Sequence, residues 1–396
     1  MLNVTGHDKP GVTSALFSNL PIDIKVLDVE QVVVQGLLTL AVLVEIDKET
    51  DLEQLIAPIS TNLSKLGIQL SYVVADDFSE TLSANFLTIT VLGGPLQATA
   101  MAQLATRIAA TGANIDRIQR IAAYPVTALE LTISGGDKAT LRQTLASLSH
   151  EAGIDIAVYH GGIERRGRQL VVMDVDSTVI QDEVVELLAE HAGVGAEVKK
   201  ITDAAMAGEL DFEESLRARV ALLKGLPESI FAEVYSQLRL TPGARTLCRV
   251  LKSLDYHVAL VSGGFTQVVE PLGHSLDVDH VRANELEVVD GILTGNVVGE
   301  VVDRAGKAKA LVEFAEQHNI PLSRTIAIGD GANDLDMLAT AGLGIAFNAK
   351  PVVRDAADTA VNVPYLDTVL YLLGISRQEI EDFDSQNGFE RTYPSV

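Results

Sequence analysis

The order of predicted elements in the first 160 residues occurs twice, and this repeat limits the possible folds more than any other feature. Apolar runs predict strands, and apolar residues three and four positions apart predict helices. Each copy therefore has the order strand, helix, strand, strand, helix, strand. Glycine and proline stand between the first strand and the first helix of both copies, at residues 6–11 and 93–95. The sequence predicts two βαββαβ units, over residues 1–80 and 85–162.

A βαββαβ unit carries both helices on one face of its sheet. The other face and the sheet edges are left to be covered by something else. Two tandem copies therefore predict pairing, within one chain or between two chains. We expect a homodimer formed through these units.

The segment GHDKPG in the first unit resembles the glycine–proline loop of ACT domains. The resemblance implies a ferredoxin-like fold that binds a free amino acid, with serine as the expected effector. Asp8 and Gly11 would then lie beside the ligand at a domain or subunit interface. The second unit lacks that aspartate and the second glycine, but its Asn114 matches a position where ACT domains place an effector-contacting residue. The alternative is that both units serve dimerisation and their glycines only form turns.

The acidic composition excludes some classes of partner. The formal net charge is −24, and nucleic acids and anionic membranes are both bound through positive surface, so we expect neither. No apolar stretch reaches the roughly 18 residues of a membrane span. No cationic segment precedes an apolar one at the N-terminus, which argues against a signal peptide. The one cysteine, Cys248, allows no internal disulfide. We therefore expect a cytoplasmic protein.

From about residue 166 the pattern changes to apolar runs that alternate with longer helical segments: QLVVMD, HVALVS, TIAIGD and GLGIAF. This alternation predicts an α/β fold with a parallel sheet, in which ligands bind outside the carboxyl ends of the strands. Three of the runs end in polar residues, at Asp174, Ser262 and Asp330. Because these positions share one edge of the sheet, we expect the three side chains to converge.

Each polar residue has an ordinary explanation when it is taken alone. A D-x-D sequence is a common polar turn, Ser262 would be a turn residue, Asp330 a helix cap and Lys307 a solvated helix lysine. Their order along the chain and their placement at strand ends make these explanations poor for the whole set. In chain order the set consists of Asp174, Asp176, Ser262, Gly263, Lys307, Asp330 and Asp334.

The series DVDST, SGG, Lys307 and GDGAND resembles the haloacid dehalogenase-like superfamily of phosphotransferases. Residues 169–372 resemble its phosphoserine phosphatases in particular, through QDEVVELLAEHAG, ITDAAMAGELDFEESLRARVALLKG, VSGGF and GDGANDLDML. The resemblance implies a Rossmann-like core over 166–181 and 241–375. It also implies a helical cap over 182–240, and a tail over 376–396 remains without a function.

The resemblance implies a role for each residue of the set. Asp174 would be the nucleophile, forming an aspartyl-phosphate, and Asp176 the general acid and then the general base. Mg²⁺ suits such a site because it prefers oxygen ligands and bridges to phosphate. The expected ligands are Asp174, the backbone carbonyl of Val175 and Asp330, with Asp334 behind them. Ser262, Gly263 and Lys307 would hold the phosphoryl oxygens.

The cap would select the substrate. The resemblance places Glu183 against the ammonium of phosphoserine and Arg219 against its carboxylate, and it places three more residues around the substrate: Met206, Phe212 and Asn333. Without the resemblance, Glu183 would be a glutamate favoured by a helix dipole and Arg219 a solvated helix arginine. A capping box, Asp211 with Glu214, predicts the start of one cap helix.

Together these features predict a Mg²⁺-dependent phosphoserine phosphatase that catalyses the last step of serine biosynthesis and is regulated by an amino acid at its ACT units. One alternative is a phosphatase for another small phosphomonoester or for phosphoproteins. Another, from a different class, is an amino-acid-sensing regulatory protein without activity. The presence of every acid, hydroxyl and lysine of the set argues against the second alternative.

Overall fold

The computed structural model describes residues 1–75, 86–160, 167, 169–206 and 210–389, without the side chains of His150, Asp203 and Met206. The chain divides into two compact units, Met1–Leu82 and Ser83–Val396. Among the described residues, no helix combines the length and the apolar character needed to cross a membrane.

The first unit is one βαββαβ fold with a four-stranded antiparallel sheet in the order β2-β3-β1-β4. Val4, Leu40, Ile59 and Leu63 are among the residues of its core, which lies between the sheet and the two helices. Asp51 begins the second helix by accepting hydrogen bonds from two backbone N–H groups. The elements are β1 Leu2–His7, α1 Val12–Phe17, β2 Lys25–Val34, β3 Leu37–Glu45, α2 Leu52–Lys65 and β4 Gln69–Tyr72.

The edge strand β2 of this unit is exposed along its whole length. Its apolar residues include Leu27, Val29 and Val33, whose side chains are 57%, 43% and 44% exposed. An exposed edge strand has backbone N–H and C=O groups that are not paired within the sheet. With exposed apolar side chains beside them, these groups can pair with a strand of another chain.

The second unit begins with the second βαββαβ fold, whose antiparallel sheet has the equivalent order β6-β7-β5-β8. All seven residues of β5, one of the two inner strands, are buried. Leu87, Ile89 and Val91 pack with the two helices, whereas Leu92 belongs to a large core that also includes residues of the seven-stranded sheet described below. The elements are β5 Leu87–Gly93, α3 Ala98–Ala110, β6 Asn114–Ala122, β7 Thr127–Ser134, α4 Lys138–Ala152 and β8 Asp155–His160.

Polar contacts join this fold to the rest of the second unit. The Asp155 carboxylate, at the start of β8, accepts hydrogen bonds from the backbone N–H and the side chain of Asn362, at 2.7 and 2.6 Å. Arg142, on α4, forms an ion pair with Asp358 at 2.9 Å. The face of the second sheet that its helices leave open is covered by the same chain, because Leu92, Ala157 and Tyr159 on that face belong to the large core.

The larger sheet has seven strands in the order β12-β11-β10-β9-β13-β14-β15, and all neighbours are parallel except β11 and β12. Buried strand β9 lies at its centre, between β10 and β13. The fold class predicted from the sequence is confirmed. The strands are β9 Leu170–Met173, β10 His257–Phe265, β11 His280–Val289, β12 Ile292–Val298, β13 Thr325–Gly329, β14 Leu343–Phe347 and β15 Thr359–Val361.

Helices lie between the strands of the larger sheet and after its last strand, β15. One of them, α11, begins with the Asp303 side chain accepting from Gly306 N–H; another, α15, begins with a capping box formed by Ser376 and Glu379. The helices are α9 Ala244–Ser253, α10 Thr266–Ser275, α11 Arg304–Gln317, α12 Leu335–Thr340, α13 Pro351–Ala356, α14 Val369–Leu372 and α15 Arg377–Gln386.

A helical insert follows β9 and returns to the core through a narrow neck. The neck is formed by an antiparallel bridge between Ile180 and Leu240. The predicted capping box of Asp211 and Glu214 is present at the start of the third insert helix. The insert helices are α5 Val184–His191, α6 Gly195–Met206, α7 Phe212–Ala221 and α8 Ile230–Gln237.

Candidate active site

Three neighbouring strands deliver polar residues to one edge of the large sheet. Asp174 follows β9, Ser262 lies near the end of β10, and Asp330 follows β13. Since β9 pairs in parallel with both β10 and β13, the three positions converge as the strand pattern predicted.

Asp174 is held by both backbone and side-chain contacts. Its backbone N–H donates to the carbonyl of Ile328 at 2.9 Å, which joins it to the strand that carries Asp330. Its carboxylate atom Oδ1 accepts from Val175 N–H and contacts Lys307 Nζ, both at 2.7 Å. Burial, and next the nearby Asp334, raises the pKa of Asp174 well above its ordinary value.

Lys307 is completely enclosed and lies between two carboxylates. Its Nζ is 2.7 Å from Oδ1 of Asp174 and 2.7 Å from Oδ1 of Asp334. Burial alone would lower the pKa of Lys307, but the two carboxylates raise it above its ordinary value, so the side chain is a permanent cation. The other oxygen of Asp334 accepts from Gly331 N–H at 3.0 Å.

Asp176 connects the core to the insert. Its Oδ1 accepts from the backbone N–H of Val184, the first residue of α5, at 2.7 Å. Its Oδ2 accepts from Ser262 Oγ at 3.0 Å, and Ser262 Oγ in turn accepts from Gly264 N–H at 2.7 Å. Burial raises the pKa of Asp176 above its ordinary value.

The acidic groups form a site that fits a divalent cation. Among the residues that the structure describes, Asp174, Asp330 and Asp334 are the one set of three or more metal-binding side chains with ligand atoms within 4.8 Å of one another. Burial, and next Asp334, raises the pKa of Asp330 to about 6, as expected for negative charges that lack compensation. An all-oxygen donor set suits Mg²⁺. The Val175 carbonyl already accepts from Ile180 N–H at 3.0 Å, so only its second lone pair is available.

A cavity of about 710 Å³ opens between this sheet edge and the insert. The insert comes close to the end of β10, because a β-carbon on Gly263 would lie 3.1 Å from the Phe212 ring. Of the predicted substrate residues, four line the cavity: Glu183, Phe212, Arg219 and Asn333. The fifth, Met206, ends α6, and its side chain lies outside the described residues.

Of the two charged insert residues, Arg219 is half-buried, whereas Glu183 lies at the exposed start of α5. Burial, and next the charge of Asp176, raises the pKa of Glu183 to about 7. Burial lowers the pKa of Arg219, although Glu183 opposes this change.

Some residues of the site did not stand out in the sequence. Thr178 donates to Asp330 at 3.3 Å, and Ser177, with a positive φ of 56°, donates to Glu183 at 2.8 Å. Asn284 is buried, donates to the Gly263 carbonyl at 2.9 Å and accepts from Val302 N–H at 2.8 Å. Ser177 and Thr178 could have been noticed in DVDST, but nothing near Asn284 in the sequence indicates its contact.

The three predicted effector residues, Asp8, Gly11 and Asn114, lie at or next to the ends of strands and helices. Asp8 follows β1, and its N–H donates to Gly36 at 2.8 Å. Gly11 precedes α1 with a φ of 94°, a backbone conformation that favours glycine. Asn114 begins β6 and donates to Asp116 at 2.7 Å. Ligand binding at these residues stays a prediction.

Comparisons with known proteins first define the class of the chain. Residues 171–339 match the family model of haloacid dehalogenase-like hydrolases. Residues 1–73 and 87–159 each match a model of ACT domains. A haloacid dehalogenase-like hydrolase of Salmonella enterica has a similar structure, with a TM-score of 0.65 and 29% identity over 72% of this chain and 98% of that one.

Relatives that match nearly the whole chain show which enzymes within this class of hydrolases it resembles. The chain is 54% identical to phosphoserine phosphatase of Streptomyces coelicolor, over 97% of this chain and 94% of the relative. It is 49% identical to phosphoserine phosphatase SerB2 of Mycobacterium tuberculosis, over 97% and 95%. A probable phosphoserine phosphatase of Vibrio cholerae superposes with a TM-score of 0.59 at 35% identity, over 74% of this chain and 88% of that one. The chain belongs to the phosphoserine phosphatase family of enzymes.

Proposed function

We propose that this enzyme hydrolyses O-phospho-L-serine through an aspartyl-phosphate on Asp174. The observation that carries the proposal is the pair of carboxylates on one turn, each with a different environment. Asp174 contacts a buried cation, whereas Asp176 accepts only neutral N–H and O–H donors among its hydrogen bonds. The cation beside Asp174 favours the ionised form that a nucleophile needs, whereas the neutral donors around Asp176 suit a proton carrier.

The chemistry proceeds in two steps. Oδ1 of Asp174 is engaged by Lys307 and Val175 N–H, so Oδ2 attacks the phosphorus. The bond from phosphorus to the serine oxygen breaks, and Asp176 gives its proton to that oxygen. A water molecule then attacks the phosphorus while Asp176 takes its proton. The bond to Asp174 breaks and phosphate leaves.

Lys307, Ser262 and the loop at Gly263 hold the phosphoryl oxygens in this proposal. Asp174, Asp330 and the Val175 carbonyl would bind Mg²⁺, with Asp334 fixing Lys307. When bound, the ion would offset the negative charges of the nucleophile and the phosphate. The expectation of a cytoplasmic location stays a prediction.

The role of Asp174 is tested by Asp174→Asn. We expect phosphate release from phosphoserine with Mg²⁺ to fall by at least about 1,000-fold, with no phosphoenzyme trapped after acid quenching. Asp336→Asn is the control, because that carboxylate forms an exposed ion pair with Arg304. Full turnover by Asp174→Asn would refute the nucleophile. No phosphate release by the unaltered protein would favour an amino-acid sensor.

The substrate assignment is tested by Arg219→Ala. We expect kcat/KM for phosphoserine to fall about 10- to 100-fold, because a hydrogen-bonded charge is lost, while an aryl phosphate is spared. Arg217→Ala is the control, since Arg217 pairs with Glu213 on the exposed face of the same helix. An equal loss for both substrates would show that Arg219 is structural. Equal kcat/KM of the unaltered enzyme for phosphoserine, phosphothreonine and a phosphopeptide would favour a broader phosphatase.

We further propose that the ACT domains bind an amino acid, serine, and that the enzyme is a homodimer. Two features support this: the glycine-bounded loop of the first domain and the exposed apolar strand β2. Because serine is also the reaction product, it would report on the last step of serine biosynthesis. A serine titration that follows phosphatase rate and oligomeric mass together tests the regulation. No response of either quantity would refute it.

A further inference from the structure

Ser215, a residue that lines the active-site cavity, has a buried hydroxyl without a hydrogen-bond partner. Ser215 lines the cavity and is 1% exposed. Among the described residues, the buried side-chain polar atoms without a partner are Ser215 Oγ and Thr359 Oγ1. Buried hydroxyls are nearly always hydrogen-bonded, because leaving one unpaired is costly. Of these two residues, Ser215 lines the cavity in which the proposed substrate would bind.

The position of Ser215 relates it to Arg219. Both are on α7, four residues apart, so their side chains lie on the same helix face. Arg219 Nε donates to the Ser215 carbonyl at 3.3 Å, which holds the guanidinium along the same turn. The hydroxyl and the guanidinium therefore offer two adjacent donors to an anionic group.

We propose that Ser215 is a specificity-determining residue whose hydroxyl donates to the carboxylate of the bound substrate, beside Arg219. The inference rests on the proposed function, in which Arg219 contacts that carboxylate. A carboxylate accepts several hydrogen bonds, so it can engage both groups. Substrate binding then satisfies a hydroxyl that the free enzyme leaves unpaired.

This role gives Ser215→Ala two opposite effects. In the free enzyme, removing an unpaired buried hydroxyl raises Tm by about 1–2 °C, and alanine also favours the helix. In catalysis, KM for phosphoserine rises about tenfold. For phosphoethanolamine, which has the phosphate and the ammonium but no carboxylate, KM stays within about twofold of the unaltered enzyme.

Thr359→Val is the matched control. Thr359 has the other unpaired buried hydroxyl, but it lies on edge strand β15 and does not line the cavity. Its replacement removes the same kind of group and is expected to leave both KM values unchanged. The experiment uses the full-length enzyme with Mg²⁺ for kinetics and thermal unfolding without substrate.

Two results would overturn the inference. A fall of Tm in Ser215→Ala would show that the hydroxyl is partnered in the free enzyme. Equal KM changes for phosphoserine and phosphoethanolamine would show that it does not read the carboxylate. Arg219→Ala in the same assay separates this failure from that of the proposed function. If Arg219→Ala also fails to distinguish the substrates, the carboxylate contact itself is wrong.

Discussion

At the scale of residues, the active site is organised by charges that are removed from water. Lys307 is 1% exposed between Asp174 and Asp334, which are 3% and 0% exposed. Taking these three charges out of water is costly, and close contacts offset the cost. The carboxylates of Asp174 and Asp334 and the ammonium of Lys307 together carry a net negative charge. This charge is consistent with a divalent cation nearby.

Lys307→Met tests this balance. We expect the free energy of unfolding to fall by about 3–5 kcal/mol, because two buried carboxylates lose their cation. Urea unfolding in EDTA measures the change. Lys309→Met is the control, since Lys309 forms an exposed ion pair with Glu300 and such pairs contribute about 0–1 kcal/mol. Equal losses in the two variants would contradict the account.

At the scale of elements, a histidine cluster lies where β10 and β11 begin and where α11 ends, at the opposite ends of β10 and α11 from Ser262 and Lys307. His257 begins β10, His280 begins β11 and His318 follows α11. Nε2 of His280 lies 2.6 Å from Nε2 of His318. The rings of His257 and His318 stack, with their centroids 3.6 Å apart. A hydrogen bond between two imidazoles needs one donor and one acceptor nitrogen, so the accepting ring must be neutral and the two rings cannot both be protonated.

The cluster predicts a loss of stability in acid. Burial, and next the neighbouring imidazole, lowers the pKa of His280 and of His318 from 6.5. The unfolded chain therefore binds more protons as pH falls through about 6.5, and the contribution to stability is lost below it. We expect His318→Gln to flatten the dependence of unfolding free energy on pH between 7 and 5.5, relative to His274→Gln. Identical pH dependence in both variants would contradict this.

At the scale of the whole molecule, the two βαββαβ folds differ in what covers them. In the second fold, Leu92, Ala157 and Tyr159 belong to the large core shared with the phosphatase sheet. Its edge strand β6 carries Arg117 and Arg120 and is buried at its end. The edge strand β2 of the first fold is exposed along its whole length, and its residues Val32, Val33 and Val34 form a continuous exposed apolar stretch. The first fold is therefore the better candidate for contact with a second copy.

Replacing Val29 and Val33 by lysine tests this proposal. Charged side chains on an edge strand oppose pairing, so we expect the mass in solution to shift from dimer to monomer, measured by light scattering after gel filtration. Ile118→Lys on the equivalent strand β6 is the control, as its side chain is 52% exposed. Unchanged mass in the double variant would refute β2 as the interface.

The sequence by itself determined the fold class and the order of the catalytic residues. Apolar runs that end in Asp174, Ser262 and Asp330 require little beyond strand periodicity and parallel pairing. The capping box at Asp211 is equally local, because its hydrogen bonds connect residues three positions apart. Such features are predictable because their energies depend on neighbours in the chain.

Only the tertiary structure decided the contacts between distant segments. The hydrogen bond of Asn284 to Gly263, the cover on the second ACT domain and the unpaired hydroxyl of Ser215 have no local signature. Serine is common on helices, and its chemistry here depends on which groups surround it after folding. Packing brings together residues that the chain keeps apart, and hydrogen-bond satisfaction is defined only once those neighbours are in place.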